Sequence, residues 1–444
     1  MRLTALLAAT AAVALGGAIH AAQAAPVLMI SIDGLRPADI LEAQARGVHA
    51  PTLERMAHDG AYAVAVRDAL PSVTYPNHTT LVTGVWPARH GIASNTTFDP
   101  LGKNAEGWYW YSQDIKVPTL WDAAHAAGLT TADIGWPVTV GAGAIDYNIP
   151  EYWRAHNAED AKLNRALATP GLPEALERAG APLVDTSDTS PEADAIKAKD
   201  AAALYALKRP AFFVLHLSSL DHLQHQYGPG TPEAHAALAR IDADVAEVVA
   251  AARKAEPDLV VMIVSDHGFA PVEHDVNLGT AFVQAGLITL NPAGKPTAWE
   301  ASPWASGGSA AVVLARRDDP ALRAKVAELL NKLAADPSSG VGRVIGREEI
   351  AAMGGAPDAD FFVDAKIGYS FGSKLSGPLV SAGAVKGTHG YFPDHGEMHS
   401  TLILDGPHLP LHGSLGEVDM RAIAPTAAKL LGVSLPSASV APLY

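Results

Sequence analysis

The chain has 444 residues and a formal net charge of −15, and 48% of its residues are hydrophobic. This length supports a large apolar core, and the acidic excess argues against binding to a nucleic-acid polymer, which depends on cationic contacts to phosphate. The sequence contains no cysteine, which excludes disulfides and thiolate zinc sites, so any metal ion would need oxygen and imidazole ligands.

The first 24 residues have the three regions of a secretory signal peptide. Arg2 precedes an apolar stretch from Leu3 to Leu15, and the small-residue pattern Ala22-Gln-Ala24 follows it. This stretch is too short to span a bilayer. We therefore expect cleavage near Ala24, a secreted or periplasmic mature protein, and no stable membrane insertion after cleavage.

From residue 26 onward, apolar runs alternate with helical segments, which predicts an α/β fold with a mostly parallel sheet flanked by helices. Three apolar runs lead toward an acidic residue, as is typical of buried parallel strands. These runs are Val27 to Asp33, Phe212 to Asp221 and Leu259 to Asp266. Start and stop signals predict helices over residues 119–127, 232–256, 320–335 and 424–431.

The composition changes between Asn277 and Gly383, where Pro, Gly and Ala-Ser clusters surround one strand-like run and one helical segment. We interpret residues 277–383 as an inserted cap subdomain. The core then comprises residues 25–276 and 384–444, with a returning strand at 401–404. Because the candidate site residues run from Asp33 to His389, a single site requires one sheet assembled from both ends of the chain.

Thr74 lies in the segment Pro71–His78, just before Pro76, a residue type favoured in the first turn of a helix. A helix that runs to Thr83 and ends at Gly84 would place the hydroxyl at a helix N-terminus, where free N–H groups favour an alkoxide and a phosphate oxygen. A threonine nucleophile also needs a base or a metal ion. For this segment alone, an N-capping threonine is the simpler interpretation.

Six carboxylate and imidazole side chains could bind metal ions, although singly each is a weak signal. Asp221 and His225 are four residues apart, so on a helix both would lie on the same face and could share a metal ion. Together the six provide nitrogen and oxygen ligands for two zinc-like ions, which could activate the Thr74 hydroxyl and favour phosphoryl transfer. The six residues are Asp33, Asp221, His225, Asp266, His267 and His389.

These segments resemble the nucleotide pyrophosphatase/phosphodiesterase branch of the alkaline phosphatase superfamily, in order along nearly the whole mature chain. The resemblance implies an alkaline-phosphatase-like core with an inserted cap. It also implies a zinc-dependent phosphodiesterase or nucleotide pyrophosphatase that acts on a small anionic phosphate-ester substrate. The matching segments are Thr74–Gly84, Pro87–Gly91, Asn95, Asp221–His225, Asp266–Gly268 and Gly387–Tyr391.

The resemblance further implies roles for individual residues. Thr74 would attack phosphorus and form a phosphothreonine intermediate, which water then hydrolyses. Asn95 and the Thr74 backbone N–H would hold a non-bridging phosphate oxygen as charge develops. Tyr75 could stack on the substrate or simply pack in the core. Two Zn²⁺ ions per subunit would be bound, one by Asp33, Thr74, Asp266 and His267 and the other by Asp221, His225 and His389.

Other functions stay open at this point. A phosphomonoesterase or a phosphonate hydrolase could use the same two-metal site, and a noncatalytic metal-binding module could retain the fold. A sulfatase is disfavoured because its nucleophile is made from cysteine or serine, whereas this chain has threonine and no cysteine. The sequence indicates neither the leaving group nor the oligomeric state, and manganese or iron would accept the same ligands as zinc.

Overall fold

A computed structural model of the chain describes residues 24–104, 107–153 and 161–444. The predicted signal peptide, residues 1–24, lies outside the described residues except for Ala24. No helix within the described ranges is long and apolar enough to cross a membrane.

The strands within these ranges are short, and each has between two and seven residues. In chain order they are β1 (Val27–Ile32), β2 (Ala61–Tyr62), β3 (Ala65–Arg67), β4 (Thr131–Ile134), β5 (Tyr147–Ile149), β6 (Phe212–Leu217), β7 (Val260–Val264), β8 (Ala270–Val276), β9 (Ile288–Leu290), β10 (Pro296–Trp299), β11 (Ala301–Ser306), β12 (Ser309–Leu314), β13 (Val341–Gly346), β14 (Phe361–Ala365), β15 (Gly368–Phe371), β16 (Val380–Ala382), β17 (Gly387–Thr388), β18 (Leu402–Asp405), β19 (Gly413–Ser414) and β20 (Glu417–Asp419).

The α-helices of the same ranges occupy the segments between these strands. In chain order they are α1 (Pro37–Leu41), α2 (Ala43–Arg46), α3 (Pro51–Asp59), α4 (Thr74–Thr83), α5 (Pro87–His90), α6 (Leu120–Ala126), α7 (Ala161–Leu167), α8 (Leu172–Arg178), α9 (Pro191–Lys208), α10 (Ser219–Tyr227), α11 (Pro232–Ala255), α12 (Leu278–Gln284), α13 (Pro320–Ala335), α14 (Arg347–Ala352) and α15 (Ile423–Leu431).

The central sheet has eight strands in the order β19-β2-β18-β7-β1-β6-β4-β5. Strands β7, β1, β6, β4 and β5 run parallel to one another, and β18 joins β7 in the antiparallel direction. Strand β1 lies at the centre, with Val27 opposite both Phe212 of β6 and Val260 of β7. The predicted mostly parallel sheet is confirmed, and β18 and β19 show that both ends of the chain contribute to it.

Helices cover both faces of this sheet because its inner strands are apolar on both sides. Leu28 and Ile30 of β1 pack in a cluster with residues of α3, α9 and α11, whereas Val27 and Met29 pack in a second cluster with residues of α4, α6 and α15. The longest helix, α11, begins after Thr231, which agrees with the helix predicted from residue 232. The Thr231 side chain accepts a hydrogen bond from the backbone N–H of Ala234, the third residue of the helix.

The region predicted to be a cap contains sheets of its own. Strands β11, β12, β14 and β13 form an antiparallel sheet in that order, and β15 and β16 flank β8. The predicted strand and helix of this region are present as β12 and α13. Strand β8 precedes the predicted boundary yet pairs with β15 and β16, and the division of the chain into core and cap stays a prediction.

Candidate active site

Three neighbouring strands bring most of the predicted site residues together. Asp33 follows β1 directly, Asp266 and His267 follow β7, and β6 leads into α10, which carries Asp221 and His225. Since these strands are adjacent in the order β7-β1-β6, the five side chains lie at the carboxyl edge of the sheet. Open α/β sheets place their ligand sites at this edge.

Thr74 and His389 reach the same place from outside the central sheet. Thr74 is the first residue of α4, where backbone N–H groups have no partner within the helix. His389 follows β17, which pairs with β8. The next residue, Gly390, has φ of +86°, and a Cβ there would lie 1.8 Å from the Ser306 carbonyl oxygen, so only glycine fits the turn that presents His389.

The six predicted ligands form two clusters of three, and within each the ligand atoms lie within 4.8 Å of one another. In the first, the Nε2 atom of His267 lies 3.1 Å from an Asp266 oxygen and 3.3 Å from an Asp33 oxygen. The same Nε2 atom lies 3.4 Å from the Thr74 hydroxyl oxygen. The Thr74 hydroxyl is therefore in contact with the first cluster.

The second cluster consists of Asp221, His225 and His389 and lies directly beside the first. Oxygens of Asp221 lie 3.5 Å from Nε2 of His225 and 3.6 Å from Nε2 of His389. The rings of His267 and His389 stack with centroids 3.6 Å apart and an interplanar angle of 9°. Burial and the neighbouring histidines lower the pKa of His389 well below its usual value, so His389 is held neutral, the form that binds a metal ion.

The three cluster histidines all direct Nε2 toward the site. In each ring the Nδ1 atom lies 2.9 to 3.1 Å from a backbone carbonyl oxygen. A carbonyl only accepts, so Nδ1 carries the proton in the neutral ring and Nε2 keeps a free lone pair. The carbonyls belong to Gly387 for His225, to Gly268 for His267 and to Ser72 for His389.

Each of the three cluster carboxylates has one buried oxygen, Asp33 Oδ1, Asp221 Oδ1 or Asp266 Oδ2, without a hydrogen-bond donor among the described residues. Burial, with the charges of Asp266 and Asp221, raises the pKa of Asp33 well above its usual value. Burial also opposes ionisation of Asp266, but electrostatic interactions with His267 and the other nearby histidines bring its pKa below the usual value. Buried carboxylates are costly without a positive partner, so this donor set fits bound metal ions.

A buried network of hydrogen-bonded side chains contacts Asp33. Nε2 of His216 lies 3.1 Å from Asp33, and Nδ1 of His216 lies 3.1 Å from Glu151. The Tyr75 hydroxyl donates to the other Glu151 oxygen at 2.6 Å. Burial alone would lower the pKa of His216, but the hydrogen bonds with Asp33 and Glu151 raise it to about 10. The imidazolium therefore fixes the Asp33 carboxylate, and the sequence assigned no role to Glu151.

His78 connects the first turn of α4 to the first cluster. Its Nδ1 atom lies 2.9 Å from the Thr74 carbonyl oxygen and 3.6 Å from an Asp266 oxygen, and its Nε2 atom lies 2.8 Å from the Ser31 hydroxyl. Burial lowers the pKa of His78 to about 3. The ring is therefore neutral, and Nδ1–H donates to the carbonyl of Thr74, which helps to fix the position of that residue.

Asn95 lies beside the start of α4, where the resemblance predicted it. Its Oδ1 atom accepts from the backbone N–H of Tyr75 at 2.9 Å, so its amide N–H groups are available to another acceptor. Thr74 and Asn95 both line a cavity of about 160 Å³, together with all three residues of the second cluster. The structure thus places a hydroxyl, an amide donor, the second cluster and Asp33 of the first cluster around one cavity.

Aromatic side chains form one wall of this cavity. Tyr75 lines the cavity although its side chain is almost fully buried. Its ring centroid lies 5.2 Å from that of Trp108. Trp108 in turn stacks on Trp153 at 5.3 Å with an interplanar angle of 17°, and both tryptophans line the cavity. Tyr75 therefore packs against other rings and also faces the cavity, and its stacking on a substrate stays a prediction.

Known proteins resemble this chain in sequence and in fold. Human ectonucleotide pyrophosphatase/phosphodiesterase family member 1 is 27% identical over 255 residues, which cover 55% of this chain and 23% of the human protein. An uncharacterized pyrophosphatase/phosphodiesterase of Schizosaccharomyces pombe is 29% identical over 248 residues, which cover 55% of this chain and 45% of the yeast protein. The chain thus spans less than half the length of either relative.

The fold matches solved structures of ectonucleotide pyrophosphatase/phosphodiesterase 5. The human structure is 20% identical with a TM-score of 0.63, and the match covers 92% of this chain and 95% of that one. The murine structure of an inactive variant in complex with AMP is 18% identical with a TM-score of 0.63. This match covers 93% of this chain and 96% of the murine chain. These matches confirm the alkaline-phosphatase-like fold. Residues 27–392 match the sequence family itself, and the chain belongs to the Type I phosphodiesterase / nucleotide pyrophosphatase family.

Proposed function

We propose that this chain is a zinc-dependent hydrolase of phosphodiester or pyrophosphate bonds that works through a phosphothreonine at Thr74. The observation that carries the proposal is the position of the Thr74 hydroxyl, 3.4 Å from His267 and on the same cavity as the second cluster. A hydroxyl at a helix N-terminus beside two clusters of metal ligands is suited to attack on phosphorus.

The two clusters would each hold one zinc ion, because both combine carboxylate oxygens with imidazole Nε2 atoms that carry free lone pairs. Asp33, Asp266 and His267 would hold the first ion with Thr74, and Asp221, His225 and His389 would hold the second. Bound zinc would supply positive charge that favours the ionised hydroxyl and neutralises phosphate oxygens. Manganese and iron accept the same ligands, so metal analysis of the purified protein tests the choice of zinc.

The residues of the chain itself would act in two displacement steps. Thr74 Oγ1 attacks phosphorus and forms a new P–O bond, the hydroxyl proton is released, and the bond from phosphorus to the leaving-group oxygen breaks. Water then attacks the same phosphorus atom and releases the threonine hydroxyl. In both steps the backbone N–H of Thr74 and the free amide of Asn95 would donate to a non-bridging oxygen on which negative charge develops.

A small anionic phosphate ester with a flat apolar group is the substrate class that this cavity supports. The wall of Tyr75, Trp108 and Trp153 offers aromatic surface next to Thr74, and nucleobases and other rings pack favourably on such surface. The AMP complex of murine ectonucleotide pyrophosphatase/phosphodiesterase 5 is consistent with a nucleotide. We further propose export to the periplasm or the exterior, supported by the signal-like N-terminus and by the name of the human relative, an ectonucleotide pyrophosphatase/phosphodiesterase.

The proposal is tested by comparing hydrolysis of bis-p-nitrophenyl phosphate with that of p-nitrophenyl phosphate by the zinc-loaded mature protein. We expect a strong preference for the diester, loss of activity with a chelator, and recovery when zinc is added back. A preference for the monoester would replace the proposal with a phosphatase. Activity that survives complete removal of metal would contradict the role given to the two clusters.

A further inference from the structure

A second cavity, of about 340 Å³, shares no lining residue with the catalytic cavity. Three arginine side chains line it, from widely separated parts of the chain: Arg67 ends β3, Arg89 belongs to α5, and Arg421 belongs to the 3-10 helix Met420–Ala422. Residues that follow or end α14, including Met353, close another side. The cavity therefore lies between the central core and the region predicted to be a cap.

Two of the three guanidinium groups have no partner among the residues that the structure describes. Within the described part of the chain, neither Arg67 nor Arg89 makes a side-chain hydrogen bond or an ion pair, and both side chains are exposed. Arg421 is held in place because its Nε and Nη2 atoms donate to Asp419 at 3.0 and 2.6 Å and its guanidinium lies 4.6 Å from the ring of Trp86. Its Nη1 group makes no hydrogen bond with the described residues.

The cavity also contains one carboxyl group, that of Asp68, which could cancel part of this positive charge. Asp68 is 2% exposed, and its Oδ1 atom accepts from the Ser400 hydroxyl at 3.1 Å. Its Oδ2 atom has no donor among the described residues. Burial raises the pKa of Asp68 well above its usual value, which favours the uncharged acid. Arg67 and Arg89 thus leave a local excess of two positive charges.

We propose that this arginine-lined cavity binds a small phosphate monoester at a site separate from the catalytic one. Guanidinium groups bind phosphate oxygens through paired N–H donors, and the two unpaired groups of Arg67 and Arg89 match the two charges of a monoester. The cavity volume is within the range of small-molecule sites, and Met353 and Pro393 offer apolar contact to the carbon skeleton. In a chain with a net charge of −15, such a cluster also attracts anions locally.

Calorimetric titration of the metal-loaded protein with phenylphosphonate tests this inference, because the probe is a dianion that an esterase does not cleave. We expect two binding sites per chain in the wild type, one of them catalytic. The double variant Arg67→Gln/Arg89→Gln should lose one site or bind it about tenfold or more weakly, since each lost charge-assisted hydrogen bond is worth about a factor of ten. Its rate of diester hydrolysis should stay within about twofold of the wild-type rate.

The double variant Arg55→Gln/Arg178→Gln is the matched control, because it removes the same charge from two exposed arginines that line neither cavity. It should keep both binding sites. Identical isotherms for wild type and Arg67→Gln/Arg89→Gln would overturn the inference, as would equal weakening in both double variants. Loss of diester hydrolysis together with binding would also overturn it. An absence of hydrolysis in the wild type would count against the proposed function alone, since the isotherms would still report the second site.

Discussion

Replacing Glu151 with glutamine tests whether the buried network that contacts Asp33 supports the metal site. Glu151 is 2% exposed, accepts from the Tyr75 hydroxyl at 2.6 Å and lies 3.1 Å from His216, which in turn lies 3.1 Å from Asp33. Glutamine has nearly the same shape but carries no charge. The imidazolium of His216 would then keep one carboxylate partner, Asp33, where the wild type has two.

Two separate effects are expected from Glu151→Gln. Removing one partner of a buried ion pair costs about 3–5 kcal/mol of unfolding free energy, and we expect about 3 kcal/mol because glutamine still accepts a hydrogen bond. The second effect concerns the metal. Groups that orient a ligand from behind contribute about 10–100-fold to metal affinity or activity, so zinc at the first cluster should bind at least about tenfold more weakly.

A zinc-chelating indicator in competition with the protein measures the affinity, and urea denaturation measures the stability. The matched control is Asp242→Asn, because Asp242 is also a buried carboxylate, 3% exposed. It accepts hydrogen bonds from the backbone N–H groups of Thr52 and Leu53 at 3.1 and 2.8 Å. The control should be destabilised yet bind zinc normally. Unchanged zinc affinity in Glu151→Gln, or an equal loss of zinc affinity in both variants, would show that Glu151 does not support the metal site.

Three further predictions follow from the same geometry. His389→Ala should lose one of two bound metal equivalents by elemental analysis, whereas His222→Ala, in the same cavity but outside both clusters, should keep both. Asn95→Asp keeps the acceptor oxygen but loses the amide donors, so kcat should fall about 10²–10³-fold with metal content unchanged. An unaffected kcat would show that Asn95 does not stabilise the developing charge. Burial lowers the pKa of His90 to about 3 from 6.5, and its Nδ1 accepts from the Ile92 N–H. Because the pKa of His90 is lower in the folded state than in the unfolded state, the unfolded state gains a proton first as the pH falls. The contribution of neutral His90 to the free energy of unfolding is therefore complete above pH 6.5 and is lost progressively toward pH 3, with about 2 kcal/mol lost at pH 5. His90→Asn should keep the hydrogen-bond acceptor, and its urea midpoint should change less between pH 7 and pH 5 than that of the wild type. An equal change in both proteins would show that His90 does not cause this pH dependence.

Site residues could be placed from the sequence where they lie next to a recognisable strand end, helix spacing or helix stop signal. Asp33 and Asp266 each follow a buried apolar run, and strand ends meet at one edge of a parallel sheet, so their proximity follows from the pattern. Asp221 and His225 are four residues apart on α10, as their spacing predicted. Helix α4 ends at Gly84 in the left-handed conformation, as expected from that glycine.

Contacts between distant segments could not be predicted in this way. Glu151 meets Tyr75 and His216, which are 76 and 65 residues away, and nothing in the segment around Glu151 marks it as part of a site. His216 did carry a signal, since it is the one polar residue in the apolar strand β6, and a buried ionisable group needs a partner. The arginine-lined cavity depends on β3, α5 and a segment near the C-terminus, which only the tertiary fold brings together.

Steady-state hydrolysis of bis-p-nitrophenyl phosphate by Thr74→Ala, with metal content measured on the same sample, is the most direct test of Thr74 as the nucleophile. We predict full metal content and a loss of turnover of about 10³-fold or more, because no other group replaces the nucleophile. Thr74→Ser, which retains a hydroxyl, should lose much less. Turnover by Thr74→Ala within about tenfold of the wild-type rate would contradict a phosphothreonine mechanism at this site.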